Sequence, residues 1–97
     1  MNRPPAVPTV QIENARVKVT EWRFEPGAET GYHRHGMDYV VVPMTTGTLL
    51  LETPQGEVRN PLTAGQSYTR QTGVEHNVIN DNDHPFVFIE IEMKERR

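Results

Sequence analysis

The 97-residue chain has no cysteine, which removes disulfides, thiolate nucleophiles and sulfur-ligated metals from consideration. A bound metal must then be held by imidazole, carboxylate or water, so the search narrows to four histidines and the acidic side chains. Long apolar runs are missing too. No segment approaches the ~18 consecutive apolar residues of a membrane span, and the opening MNRPPAVPTVQ has no apolar stretch of an export signal. A cytoplasmic protein with no membrane partner is expected, and the lack of cysteine fits a reducing compartment. Positive charge is scarce: ten basic residues against thirteen acidic give a net charge of -3, and the basic ones are scattered apart from a short C-terminal run. With no basic stripe to follow a phosphate backbone, nucleic acid is not an expected partner.

The residues that are abundant favour β structure: Val, Thr, Pro and Gly, with aromatics placed singly and little Ala or Leu at helical spacing. The length encloses one modest core, so a single domain over residues 1–97 is expected. Three prolines in residues 1–9 deny successive ladder donors and point to an extended arm, and residues 94–97 to a frayed tail. Strands are expected over residues 16–24, 31–35, 38–43, 48–53, 57–61, 66–70, 76–80 and 86–93, with an irregularity at Gly36. Turn residues separate them: Glu25-Pro26-Gly27, Thr45-Thr46-Gly47, Pro54-Gln55-Gly56 and the polar run 80–83. About eight short strands at this spacing make a closed barrel or a double-sheet sandwich. Exposed edges and a proline-bearing arm favour a homodimer to which residues 6–14 contribute.

His33 and His35 are two apart in a strand, so both imidazoles point to one face. His76 opens another strand about forty residues on, where a closed sheet can bring it alongside. Spacing alone leaves two readings open: a three-imidazole metal site, or separate histidines that pack or face solvent, as strand histidines commonly do. His84, beside Pro85 in a polar turn, is set apart as a surface residue.

The chain resembles the cupin superfamily through two motifs. Gly27, His33 and His35 follow the first, G-x5-H-x-H-x(3,4)-E-x6-G, with Gly47 one residue past its closing glycine when Tyr39 is counted at the glutamate position; Gly65, Gly73, His76 and Asn80 follow the second, G-x5-P-x-G-x2-H-x3-N. Two positions depart: Tyr39 stands for the glutamate and Gln71 for the proline. The glycines read as turn residues free to take positive φ. Within the superfamily, WRFEPGAETGYHRHGMDYVVVP and GVEHNVIN resemble very short single-barrel cupins such as those called β-alanine degradation proteins. The resemblance implies an all-β double-stranded β-helix, or jelly-roll barrel, with one divalent transition metal (Fe, Ni, Zn, Mn or Cu) on His33, His35 and His76.

The missing glutamate is a common fourth ligand in that superfamily. Parity places Tyr39 on the histidine face, where its phenol can donate a hydrogen bond beside the ion and is the group to test for proton transfer. Asp38 points away by parity and turns inward only if a bulge forms near Gly36. Tyr68 and Arg70 share one face of the strand before His76, and Arg70 there can grip a carboxylate in bidentate fashion. Trp22 and Phe24 share a face; Phe86 and Phe88 read as core or pocket wall. Glu75 reads as solvated or at an interface, and Glu90 and Glu92, alternating with Ile89 and Ile91, as solvated. The functions implied are a metal-dependent enzyme, oxygenase or isomerase/lyase, on a small polar or carboxylate molecule, or a binding or sensing module without turnover.

Overall fold

The computed structural model describes residues 3–94. Among them are nine strands: β1 (Val7–Glu13), β2 (Val17–Phe24), β3 (His33–Arg34), β4 (Asp38–Pro43), β5 (Gly47–Thr53), β6 (Gly56–Leu62), β7 (Tyr68–Arg70), β8 (Glu75–Asn80) and β9 (Phe86–Met93). No helix among the described residues is long and apolar enough to cross a membrane. Two antiparallel sheets face each other, one in the order β1-β2-β9-β4-β7 and the other in the order β3-β8-β5-β6. Period-two alternation sends one side of each strand inward. Phe24 and Phe86 are fully buried, and Phe88, Val41, Leu49, Leu51, Leu62 and Val78 pack with them.

The expected arm is partly strand. Pro5 bridges to Glu29, Ala6 is buried, and residues 7–13 form β1 along β2. Pro8 is tolerated because β1 is an edge, where alternate N–H groups have no ladder partner, and a bulge between Val10 and Ile12 bends the strand. Of the expected tail, Lys94 is held by an ion pair to Glu13 at 3.1 Å and by donating its N–H to Arg16 O. Residues 95–97 lie outside the described residues.

Two motif residues have mechanical roles that differ from a simple turn. Gly47 has no positive φ; a Cβ there would meet the Asn82 side chain at 3.0 Å, so the glycine clears space for Asn82 to bond Thr48. Asn80, fully buried, donates to Phe24 O and His84 O and accepts from Asn82, tying the end of β2 to the turn before β9.

Candidate metal centre

The β3–β8 register sets His33 opposite His76, and His35 follows on the same face by the two-residue period. His35 lies past the end of β3, yet its N–H donates to Val74 O at 2.8 Å and its carbonyl accepts from Gly73 N at 2.7 Å. His35 Nε2 is 3.0 Å from His33 Nε2 and 3.1 Å from His76 Nε2. A neutral imidazole Nε2 is either one donor or one acceptor in its ring plane, so it cannot satisfy both contacts by hydrogen bonding. A shared cation can, and nitrogens bonded at about 2.1 Å to one ion stand roughly 3 Å apart. His33 Nδ1 lies 2.8 Å from Gly31 O, a partner that only accepts; this fixes the Nδ1–H tautomer and leaves the Nε2 lone pair facing its neighbours. Burial lowers His35 to about 4 and His76 to about 3, with neighbouring imidazoles adding to both and the Arg70 charge to His76. Both rings are therefore neutral bases at neutral pH. The donor set fits a divalent metal.

The three histidines open onto a cavity of about 440 Å³ between the sheets. Tyr39 is inside it, stacked on His35 with ring centroids 3.9 Å apart. Tyr68 and Arg70 line it as well, the guanidinium 5.5 Å from the Tyr68 ring centroid. Asp38 is a correction to the pocket candidates: it is exposed on the other face of β4, and its Oδ1 accepts from Thr72 N at 2.7 Å. No bulge turns it inward, because β4 pairs with β9 in unbroken register from Asp38 onward. His84 stands apart with Nδ1 2.9 Å from Pro85 O, and Glu75 is exposed.

The family model for cupin domains matches residues 20–92. The chain belongs to the cupin family. A curated relative, beta-alanine degradation protein BauB of Pseudomonas aeruginosa, is 70% identical over 92 residues, covering 95% of this cupin and 97% of the relative. A crystal structure of a cupin domain from Bordetella pertussis Tohama I is 73% identical with a TM-score of 0.96, covering 98% of this chain and 99% of that one. A cupin with a double-stranded β-helix fold from Methanocaldococcus jannaschii shares 13% identity at a TM-score of 0.77 over 92% of this chain and 80% of that one; this shows the fold alone.

The cupin's cavity also contains residues that sequence reasoning placed in solvent. Glu90 is buried and Glu92 half-buried, and both line the cavity, whereas Ile89 and Ile91 are half-buried on the opposite face of β9. The signal was in the strand itself: Phe86 and Phe88 share parity with Glu90 and Glu92, so an inward aromatic pair carries both carboxylates inward. Trp22, Thr20 and Lys18 line the cavity from β2 by the same rule, and Trp22 Nε1 donates to Glu90 Oε1 at 3.3 Å. Burial, with a smaller contribution from Glu92, pushes the Glu90 carboxyl up to about 7.

Proposed function

We propose that this cupin is a metal-dependent enzyme acting on a small polar, carboxylate-bearing molecule, with one divalent transition metal on His33, His35 and His76. The convergence of three imidazole Nε2 atoms on the wall of a cavity large enough for a small molecule carries the reading. When bound, the ion supplies a Lewis acid, or a redox centre if it is iron or copper. The chain's own groups do the rest. Arg70 orients a carboxylate by paired hydrogen bonds. Tyr39, buried and kept protonated by that burial, offers a hydrogen-bond donor beside His35. Phe88, Val41, Leu49, Leu51 and Val78 form an apolar floor that excludes water. The name of the BauB relative, beta-alanine degradation protein, agrees with a ligand of this size. Oxygenase and isomerase/lyase chemistry both fit open positions beside three neutral ligands.

A homodimer belongs to the same reading. The outer face of the five-stranded sheet carries an apolar cluster, Val19, Val40, Ile89 and Ile91, half-buried beside the charged Glu21, Arg23 and Asp38, and β1 is exposed along its length. A second copy would cover both the face and the edge.

Elemental analysis of untagged protein beside His33→Ala and His76→Ala tests the metal. About one equivalent of a transition metal per chain, lost in both variants, is the expected result. No metal above the variants' background overturns the enzyme reading. A bound metal with no turnover of small carboxylates, with or without oxygen, leaves a binding module.

A further inference from the structure

β8 alternates across the wall of the barrel, so His76 faces the cavity and Asn77, next in sequence, faces the other side of the same sheet. Asn77 is nevertheless only 5% exposed, and its amide is fully engaged. Its Oδ1 accepts from Gly31 N at 2.9 Å, and its Nδ2 donates to Glu29 Oε1 at 2.8 Å and to Glu52 Oε1 at 2.9 Å. These partners fix which end of the amide is which, because a backbone N–H only donates and a carboxylate only accepts. Strand register explains the convergence: Glu52 stands opposite Asn77 on β5, and Glu29 bridges to Ile79, the next residue on that face of β8. Arg3 lies across the two carboxylates, 3.4 Å from Glu29 and 3.8 Å from Glu52.

The cluster reaches the histidines through Gly31, which lies between strands with a φ of +88°. Asn77 holds its N–H, while its carbonyl accepts from His33 Nδ1 at 2.8 Å and from the Thr30 hydroxyl at 2.9 Å. Thr30 Oγ1 is itself 3.4 Å from His33 Nδ1. A hydroxyl can donate to that nitrogen as well as accept from it, whereas a carbonyl only accepts. The place of the Gly31 carbonyl therefore decides whether the imidazole proton is on Nδ1 or on Nε2. A proton on Nε2 would occupy the lone pair that faces His35.

We propose that Asn77 is a positioning residue for His33: from outside the cavity it holds Gly31 so that the Gly31 carbonyl keeps the proton on Nδ1 and the Nε2 lone pair free for a metal. This rests on the reading of the three histidines as a metal centre. The chemistry of the cluster selects the residue type. Only a side-chain amide offers one acceptor for Gly31 and two donors for the paired carboxylates; a hydroxyl has one donor, and Asp would set a third carboxylate against Glu29 and Glu52. Arg3, by neutralising the pair from outside, lets both carboxylates converge on one nitrogen.

Nitrogen NMR of the histidine rings tests the assignment, on the full chain cleared of metal by a chelator and held at about pH 8, above the ordinary imidazole range. His33 in the wild type should carry its proton on Nδ1, and Asn77→Ala should show the Nε2–H form or a mixture. Zinc affinity, read by isothermal calorimetry, should fall roughly tenfold to a hundredfold in Asn77→Ala. Asn77→Asp should weaken zinc binding as well, and adding Glu29→Gln, which moves the amide to the neighbouring side chain and restores the charge count, should recover most of the loss. Denaturant titration of each variant separates this pattern from a general loss of fold. If Asn77→Ala does not fold, the wild-type tautomer and the recovery by Glu29→Gln decide. A wild-type His33 protonated on Nε2, an Asn77→Ala variant with the wild-type tautomer, or no recovery in the double variant overturns the proposal. The metal reading fails separately: a tautomer that follows Asn77 in a protein that binds no zinc keeps the positioning and removes the metal, whereas zinc bound equally by wild type and Asn77→Ala does the reverse.

Discussion

Tyr39 lies nearly flat on His35, the ring planes 20° from parallel, while its hydroxyl finds no hydrogen-bond partner. The ring and the oxygen therefore have separable roles. Tyr39→Phe keeps the stack and removes the orphaned oxygen, so stability in urea should be unchanged or raised by up to about 1 kcal/mol. Ligand affinity should fall roughly tenfold in the same variant. Tyr39→Ala removes the ring and should cost about 3 kcal/mol. A Phe variant that is clearly destabilised would mean that the hydroxyl already has a partner in the free protein.

Glu90 makes stability depend on pH with a definite sign. Its folded value, about 7, lies above the ordinary 4.5, so between these values the folded state holds the proton that the unfolded state has released. Stability from this group is full below pH 4.5, declines as pH rises towards 7 and is flat above, a loss of about 3 kcal/mol. Glu90→Gln should cancel that decline. The comparison is made by denaturant titration of both proteins at pH 5 and pH 8, with the fluorescence of Trp22, the single tryptophan, as the probe. Parallel pH profiles would show that Glu90 titrates like a solvated carboxylate.

Adding a divalent transition metal at a hundredfold excess over its dissociation constant should stabilise the protein by about 2.7 kcal/mol, which raises Tm by roughly 10 °C or more in a domain of this size. A chelator should reverse the shift, and His76→Ala should abolish it. Because His35 and His76 stay neutral well below the ordinary 6.5, metal binding should persist to about pH 5. Equal shifts in His76→Ala and wild type would place the metal elsewhere.

Gly73 acts on the histidines through the backbone. Its φ is +97°, and its N–H donates to His35 O at 2.7 Å. A Cβ at this position would be in ordinary contact at 3.6 Å, so the penalty in Gly73→Ala comes from φ alone, about 1 to 2 kcal/mol. Metal affinity should fall as well, since relaxing φ moves the bond that places His35. Denaturant titration reads the stability and isothermal calorimetry the metal affinity, and a variant that binds metal as the wild type does would show that His35 is placed by side-chain packing.

Sedimentation equilibrium should give twice the 11.1 kDa chain mass, and Ile91→Arg, altering the outer face of β9, should give the chain mass itself. A monomeric wild type at all concentrations removes the dimer.

The histidines were legible because H-x-H in a strand fixes their common face, and the glycine and asparagine spacings resemble a known barrel. Tyr39 was legible for the same reason: parity depends on nothing but position. Glu90 was not. Alternation in β9 defines two sets, Phe86, Phe88, Glu90 and Glu92 against Val87, Ile89 and Ile91, and composition favours the wrong set at the C-terminal end of the strand. The aromatic pair decides the matter, because Phe86 and Phe88 are the larger apolar groups and the rest of the strand must follow them. Pro8 concealed β1 in a similar way: a missing N–H argues against a strand only where both sides are paired.

β9 is hydrogen-bonded to β2 on one side and β4 on the other, so its register cannot slip without breaking both ladders. Neighbours along that strand are thus 3.3 Å apart in sequence direction and on opposite sides of a wall. A substitution scan through residues 86–93 would return two interleaved records, odd positions reporting on the outer face of the sheet and even positions on the interior of the barrel. The two surfaces can then be altered independently by mutations one codon apart.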